Sequence, residues 1–400
     1  MALSGASLSA ARLQVTGLRT PIHIAGGLYR EICLHPAWNT LLGSGGRAAQ
    51  ALAALGDKTI LHSYFEDDQS IALEPYRDSG ITLELMRRQS PIAFAYFHPL
   101  STPHLEPSDI AQERAFHVDA ETVLRFGLVE GDAVVRARRA IFDPQGTWGS
   151  LHFRRNGSEA DEITLVLNAR ELISGTGISD LEDSARSLVN TGAASVVIVK
   201  QGVCGALVIE SRKRTMFVPA FRSSNVFKIG TGDVFSATFA HYWGLEGEDA
   251  TAAAEQASLA VAYYVQNRDF PIERQHPMLE PVGGMLRGPV AVLAASNTLG
   301  NKYVLEETLH RLGELGVRAE HVHTPPTEEQ HAALLVLADG LSRDCIADAV
   351  ALSLAGQSVI ILDEAQSVVL ENPRLKVILA RDFTSALYQA AWATSTPRTI

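Results

Sequence analysis

The chain has 400 residues, 46% of them hydrophobic and 20% charged, which excludes disordered, collagen-like and disulfide-stapled miniprotein classes. Its formal net charge of -11 gives a surface field that repels polyanions, so we expect no nucleic-acid partner. Three widely separated cysteines indicate a reducing, cytoplasmic setting, and no apolar run approaches the ~20 residues that span a bilayer, so we expect no membrane partner.

Short β-branched runs alternate with alanine-rich helical segments along most of the chain. A helix is predicted over 180–190 before a strand over 195–199, and a strand over 290–293 before a helix over 302–315. Such alternation is typical of an α/β fold built on a largely parallel sheet.

Prolines and glycines crowd the segment between Phe270 and Pro289, where neither a helix nor a strand can persist. This break predicts a first domain over residues 1–275, a linker over 276–288 and a second domain over 289–400. The first is long enough for a large α/β domain with a small lid, and the second for a compact domain with its own core.

The run Gly230-Thr231-Gly232-Asp233 is the most informative segment of the first domain. Its glycines allow a tight turn, and the alanine-rich residues that follow predict a helix, so backbone N–H groups converge where they stabilise charge on a transferred phosphoryl group. The carboxylate of Asp233 is suited to accept a proton from a substrate hydroxyl. Alternatively, Asp233 simply caps the helix.

Other segments place this turn in a wider pattern. In chain order they are Gly43-Ser44-Gly45-Gly46-Arg47 before an alanine-rich helix, Glu66-Asp67-Asp68, Asn168-Ala169-Arg170-Glu171, and Lys200-Gln201-Gly202 continuing to Gly205. Together with the turn they resemble the PfkB/ribokinase family of sugar and nucleoside kinases over about residues 10–270. The resemblance implies a ribokinase-like three-layer α/β/α domain with a small lid.

The resemblance also implies roles for individual residues and the cofactors ATP and Mg²⁺. Asp233 would be the catalytic base, and Gly230, Thr231 and Gly232 would form the anion hole. Asn168 and Glu171 would help to place magnesium and phosphate. The nucleotide contacts would be Lys200, Gly202 and Gly205, and the substrate contacts Gly45, Gly46 and Arg47. No dedicated protein-ligated metal site is predicted.

Several positions depart from the family pattern. Phe227 and Lys228 replace an Asp and a Thr of the loop that usually organises a monovalent cation. Val15-Thr16-Gly17 resembles the opening strand, and Pro21 stands where an Asp usually binds substrate hydroxyls. Arg47 replaces a substrate-contacting Asn, which favours an anionic or nucleotide-like ligand. The alternative for Arg47 is a surface cation on a solvated helix.

Two other motifs point to functions other than a kinase. Gly43-x-Gly45-x-x-Ala48 fits a dinucleotide-binding string, but a poor strand precedes it, and no Walker-type phosphate loop occurs. His321 and His323 alternate as on a strand, yet no further ligands accompany them, so ordinary histidines are expected rather than a metal site.

The second domain resembles the nucleoside 2-deoxyribosyltransferase fold, a smaller flavodoxin-like or Rossmann-like α/β domain. The resemblance implies that Asp339 contacts ribose hydroxyls and that Asp348 takes the place of the family's nucleophilic Glu, while Val292 replaces an early Tyr. Catalysis at Asp348, nucleoside binding without turnover, and a structural or dimerising role are three open alternatives.

The leading hypothesis is therefore an ATP-dependent phosphotransferase acting on a hydroxyl of a sugar, nucleoside or related small molecule, with an accessory nucleoside- or nucleotide-binding domain. The alternative is a divergent nucleotide sensor, or a nucleoside glycosyl-transfer or hydrolysis enzyme that acts through the second domain. Both families often form homo-oligomers, so a homodimer is expected.

Overall fold

The computed structural model describes residues 20–146, 151–211, 213–270, 279–326, 330–370 and 375–396. The run Val15-Thr16-Gly17 lies outside the described residues.

The first part of the chain, up to residue 270, contains thirteen strands and six helices in the described residues. The strands are β1 (Ile22–Ala25), β2 (Arg30–Cys33), β3 (Trp38–Leu41), β4 (Thr59–Phe65), β5 (Thr82–Arg87), β6 (Ala93–Tyr96), β7 (His104–Glu106), β8 (Phe116–Phe126), β9 (Ala133–Asp143), β10 (Glu159–Asn168), β11 (Val196–Lys200), β12 (Gly205–Glu210) and β13 (Met216–Pro219). The helices are α1 (Gly43–Ala54), α2 (Glu74–Asp78), α3 (Ala169–Thr176), α4 (Leu181–Asn190), α5 (Thr231–Phe239), which continues into a π-helical segment (Ala240–Leu245), and α6 (Ala250–Asn267).

Nine of these strands form one sheet in the order β13-β12-β11-β10-β9-β8-β1-β4-β5. All neighbours are parallel except β11 with β12 and β12 with β13. Alternate side chains enter different cores, as in β11, where Val196 and Ile198 pack beneath α1, α5 and α6 while Val197 and Val199 pack beneath α3 and α4. The predicted three-layer α/β/α domain is confirmed.

The predicted small lid is a separate four-stranded sheet in the order β3-β2-β6-β7. The chain enters this lid after β1 and returns to the main domain through α1, whose first residue is Gly43. Near β6, the His98 ring packs on Phe383 of the second domain, and its Nε2 lies 2.9 Å from the Glu307 carboxylate. The segment that follows β6 of the lid therefore contacts the predicted second domain.

The predicted second domain contains the remaining strands and α-helices of the described residues. They are β14 (Met285–Leu286), β15 (Val290–Ala294), α7 (Leu299–Glu314), β16 (Ala319–Val322), β17 (Ala333–Leu337), α8 (Arg343–Ala351), β18 (Val359–Leu362), β19 (Val377–Ala380), α9 (Phe383–Ala393) and β20 (Ser395–Thr396). The parallel order β16-β15-β17-β18-β19 is that of a flavodoxin-like sheet, as predicted. Strand β14 lies within the predicted linker and forms a separate two-stranded sheet with β20.

One hydrophobic core runs across the predicted boundary between the two domains. Phe227 and Tyr264 of the first domain belong to the same buried cluster as Leu387 and Trp392 of α9. Burial of continuous apolar surface makes this contact part of folding rather than a loose tether. In the described parts of the chain, we find no helix with the length and apolarity to cross a bilayer.

Candidate active site

Several predicted functional residues of the first domain meet at one edge of the large sheet. Three neighbouring parallel strands end there, β9 at Asp143, β10 at Asn168 and β11 at Lys200, and Asn168 is the register partner of Lys200. Helix α5 begins beside them at Thr231, and Gly232 lies against the Lys200 ammonium. The carboxyl edge of a parallel sheet is where ligands of open α/β folds bind.

A cavity of about 390 Å³ opens at this edge. Predicted residues that line it are Asn168, Glu171, Lys200, Gly202, Gly205, Thr231 and Gly232. The structure therefore brings together the residues predicted to contact nucleotide and magnesium and two of the three predicted to bind phosphate, and the volume is ordinary for a small-molecule site. The lining does not include Gly45, Gly46, Arg47, Gly230 or Asp233.

Asp233 is the third residue of α5 and is 6% exposed. Its Oδ2 accepts a hydrogen bond of 2.8 Å from Arg47, and its Oδ1 accepts one of 2.5 Å from the Gln145 side chain. Helix α5 has Gly230 as its N-cap and no side-chain cap, so the alternative that Asp233 merely caps the helix is wrong. Burial raises the pKa of Asp233 to about 6, against the opposing effect of Arg47.

Arg47 is 1% exposed, which overturns the surface-cation alternative. Its guanidinium donates to both carboxylate oxygens of Glu31 as well as to Asp233, and its Nε donates to the Tyr264 hydroxyl at 3.1 Å. One cation thus links two buried carboxylates, and the prediction that Arg47 binds an anionic ligand stays a prediction.

Three predicted site glycines lie where a larger side chain would clash with a neighbouring group. Gly230 has a φ of 77°, and a Cβ there would lie 2.0 Å from the guanidinium of Arg47. Gly45 and Gly46 are buried where α1 meets other elements, and a Cβ would lie 2.5 Å from the Gly26 backbone or 2.4 Å from the Tyr76 hydroxyl, respectively. The structure gives these last two glycines a packing role, and their predicted substrate contact stays a prediction.

Two lysines supply positive charge to the cavity. Lys200 donates to Asp143 at 2.7 Å, and although burial opposes it, the carboxylates of Asp143 and Glu171 raise its pKa. Lys228 donates instead to the neutral Thr231 hydroxyl at 2.8 Å. Burial, with Lys200 nearby, lowers the pKa of Lys228 to about 8. An ammonium with a neutral partner is suited to a phosphate ligand.

Asn168 and Glu171 form a capping box at the start of α3. The Glu171 carboxylate accepts from the Asn168 N–H at 2.8 Å and from the Gly146 N–H at 2.6 Å. Burial raises the pKa of Glu171, and the neighbouring Asp143 adds to the effect while Lys200 opposes it. Two carboxylates beside one cavity fit a hydrated Mg²⁺ held together with substrate phosphates, since this ion keeps several waters.

The two predicted site residues of the second domain are not part of this cavity's lining. Asp339 is exposed at the end of β17 and accepts a hydrogen bond from Asn301, and Asp348 is exposed on α8. No hydrogen bond joins Asp339 to Asp348 in the described residues, so their predicted roles stay predictions.

Comparison with known proteins supports the kinase interpretation over part of the chain. Residues 155–269 match the pfkB family carbohydrate kinase model. This segment contains Asn168, Glu171, Lys200, Lys228 and Asp233. Deoxyribokinases of Salmonella typhi and Salmonella typhimurium are each 38% identical over 97 residues, which is 24% of this chain and 30% of each relative. The alignment thus spans less than a third of those relatives.

Solved structures with a similar fold include a pyrophosphate-dependent kinase in the ribokinase family, complexed with a pyrophosphate analog and myo-inositol. It covers 64% of this chain and 98% of its own, at 14% identity and a TM-score of 0.46. A PfkB protein from Polaromonas sp. JS666 covers 62% of this chain and 96% of its own, at 18% identity and a TM-score of 0.46. The resemblance of the second domain to a deoxyribosyltransferase stays a prediction.

Sequence reasoning missed several residues of the site. One of them is Glu31: the first strand in the described residues, β1, begins directly after Pro21, and the acid comes on the strand that follows it. The acid near the site is Glu31, on β2. Asp143 is the last residue of β9 and comes directly after a β-branched and an aromatic residue, and Gln145 lies two residues further on. This strand-end pattern indicates the same edge of the sheet as Asn168.

Proposed function

We propose that the protein is an ATP-dependent phosphotransferase that phosphorylates a hydroxyl of a sugar, nucleoside or related small molecule. The observation that carries the proposal is the buried Asp233 carboxylate, which accepts a hydrogen bond from Gln145 in the lining of a cavity where Lys200 and Lys228 supply positive charge. Asp233, Lys200 and Lys228 fall within the segment that matches the carbohydrate-kinase model.

In the proposed reaction, Asp233 accepts the proton of the acceptor hydroxyl as its oxygen attacks the γ-phosphorus of ATP, and ADP leaves. Gln145 and Arg47 each occupy one oxygen of the carboxylate and fix its plane. Each oxygen has a second lone pair for the substrate hydroxyl. The N-terminus of α5, with Gly230 to Gly232, and the Lys228 ammonium stabilise the charge of the transferred group.

Asp143, Asn168 and Glu171 would hold magnesium on the donor phosphates. When bound, the ion neutralises phosphate charge during transfer. Among the chain's own groups, Lys200 remains paired with Asp143, and Ser236 donates to the same carboxylate at 2.8 Å. These two bonds hold Asp143 in place at the cavity wall.

The test is ADP formation by the purified full chain with ATP and Mg²⁺ against a panel that contains 2-deoxyribose, ribose, hexoses and nucleosides. Deoxyribose is included because the curated relatives are deoxyribokinases. The proposal expects ADP release that depends on one class of acceptor, with equimolar phosphorylated product. ATP binding without acceptor-dependent turnover across the panel would contradict it.

A nucleotide sensor without turnover is the second candidate, and one observation favours it. Arg47 already forms an ion pair with Asp233, at 2.8 Å, inside a buried cluster. The Arg47 guanidinium therefore competes with the substrate hydroxyl for the carboxylate of Asp233. Calorimetry that detects ATP binding, combined with no product from any acceptor, is the result this candidate expects.

The proposed reaction should have a bell-shaped dependence of kcat/KM for ATP on pH. Activity rises as the pH passes about 6, because Asp233 must lose its proton to act as base, and its pKa is raised to about 6. Activity falls as the pH passes about 8, because Lys228, with a pKa lowered to about 8, loses its charge.

The control for this profile is Lys228→Met, which removes the ammonium and keeps an unbranched side chain only one atom shorter. The alkaline limb should disappear in this variant, whereas the acid limb should stay. An alkaline limb that persists near pH 8 would show that another group controls it.

A further inference from the structure

The lid is joined to Asp233 through two buried side chains. Glu31, on lid strand β2, accepts hydrogen bonds from the Arg47 guanidinium with both carboxylate oxygens, and the same guanidinium donates to Asp233 at 2.8 Å. Glu31 is 4% exposed and Arg47 is 1% exposed. Because a buried charge that loses its partner is costly, a displacement of β2 also disturbs the carboxylate of Asp233.

Strand β2 is tied to β6, its parallel neighbour in the lid. Beyond the strand ends, the Leu34 N–H donates to the Tyr96 carbonyl at 3.0 Å. The His35 N–H donates to the Phe97 carbonyl, also at 3.0 Å. The pairing therefore continues up to the turn that follows β6, and the next residue in this turn is His98.

His98 holds this turn against the second domain. Its ring packs on Phe383 at the start of α9, with centroids 4.8 Å apart, and its Nε2 lies 2.9 Å from the Glu307 carboxylate on α7. The Leu100 N–H donates to Nδ1 at 3.2 Å, so the ring proton lies on Nε2 and is donated to Glu307. Burial lowers the pKa of His98 against the opposing effect of Glu307, which favours this neutral form.

Helix α9 gives the contact a fixed support, because it is also bonded to loops of the first domain. The Trp392 indole donates to the Val203 carbonyl at 3.0 Å, and Trp392 is part of the cavity lining. The Gln389 amide donates to the Ser223 carbonyl at 2.7 Å. One helix thus connects the lid, at its first residue, with the cavity wall near its last.

The lid and the cavity reach Asp233 through different oxygens. Oδ2 is bonded to Arg47, the partner of the lid residue Glu31, whereas Oδ1 is bonded to Gln145, which lines the cavity. The cavity itself is formed by the edge of the large sheet, its loops and helices α3, α5, α6 and α9. A change in the lid therefore acts first on the side of Asp233 away from the donor phosphates.

We propose that His98 is a positioning residue through which the second domain holds the lid over Asp233 in the arrangement that binds the phosphoryl acceptor. This inference rests on the proposed function, because it assigns the lid side of Asp233 to the acceptor. A lid that is already held in the binding arrangement costs the acceptor less free energy to order. Loosening the contact lowers the fraction of chains that are competent to bind, and the apparent affinity falls by the same factor.

The first test is amide hydrogen exchange on the full chain without ligands, read by mass spectrometry. In His98→Ala, strands β2 and β6 should exchange about 10-fold faster, because they lose their support, while β10 and β11 should be unchanged. His98→Gln keeps an N–H donor for Glu307 and should restore most of the protection. The matched control is His104→Ala, at a lid histidine whose side chain is 73% exposed, and it should leave exchange unchanged.

Steady-state kinetics on the same variants separate positioning from general damage. In His98→Ala, the KM for the acceptor should rise about 3- to 10-fold, whereas the KM for ATP should stay within about 2-fold. Glu307→Ala leaves the His98 ring on Phe383 and should give the same pattern with a smaller change. The double variant should lose less than the sum of the two single variants, since both remove one hydrogen bond.

The outcomes distinguish this inference from the proposed function. Unchanged lid exchange in His98→Ala overturns the inference, and so does faster exchange with an unchanged KM for the acceptor. An equal rise of both KM values with a lower melting temperature also overturns it, because the effect is then general. If the unmodified protein phosphorylates no acceptor, the proposed function and the kinetic role of His98 both fail, while exchange still decides whether His98 anchors the lid.

Discussion

Replacing Arg47 by methionine should lower the free energy of unfolding by about 3–5 kcal/mol, the usual cost of removing one partner from a buried ion pair. Methionine fills much of the same space, so the loss comes from charge rather than from a cavity. The 1% exposed guanidinium contacts two buried carboxylates, Glu31 and Asp233, which would face each other without a counter-ion. Urea unfolding at pH 7 measures the change.

Two comparisons make this result specific. Arg170→Met removes an arginine whose side chain is 84% exposed, and we expect a change within about 0.5 kcal/mol. Glu31→Gln combined with Arg47→Met should cost less than the sum of the single variants, since each removes a charge that the other leaves unpaired. Additive losses would show that Arg47 and Glu31 do not act as a pair.

The Arg47 variant also has a readout in the chemistry of Asp233. Arg47 lowers the pKa of this aspartate, whereas burial raises it. Without the arginine, the acid limb of the pH profile should therefore move above pH 6. An unchanged limb would indicate that the aspartate responsible is not the one beside Arg47.

Most of the architecture was predictable because it is local in sequence. The β-branched run of Val196 to Lys200 forms β11 where the alternation predicted a strand, and the turn before Asp233 begins α5 as predicted. Periodicity and turn residues were enough for these two features. The neighbours of Lys200 in the cavity were predicted from the family resemblance, and the structure explains their grouping because carboxyl ends of parallel strands meet at one edge.

The pairing inside the site was not predictable, because its contacts join distant parts of the chain. Arg47 and Asp233 are 186 residues apart, and Trp392 is 189 residues from the Val203 carbonyl that it contacts. No local pattern specifies that a helix arginine turns inward or that α9 covers the cavity. Such contacts depend on how the layers and domains pack against each other. The spacing of motifs along one sequence does not reveal this packing.

Replacing Asp233 by asparagine should lower kcat/KM for the phosphoryl acceptor by about 10²- to 10⁴-fold, the usual contribution of a general base. Asparagine keeps the shape of the side chain and its oxygen still accepts a hydrogen bond, so ATP affinity should change little. Acceptor-dependent ADP formation and ATP calorimetry on the same preparation measure the two quantities. Asp78→Asn, at an exposed position on α2, is the matched control and should keep full activity.

The pattern of loss identifies the role of Asp233. If the aspartate is the base, the residual activity of Asp233→Asn should lose the acid limb near pH 6, because the titrating carboxyl is gone. If its main role is to hold Arg47, ATP affinity and thermal stability should fall together with activity, and the acid limb should persist in whatever activity remains. Turnover equal to that of the unmodified protein would remove Asp233 from the reaction and, with it, the proposed phosphotransfer mechanism.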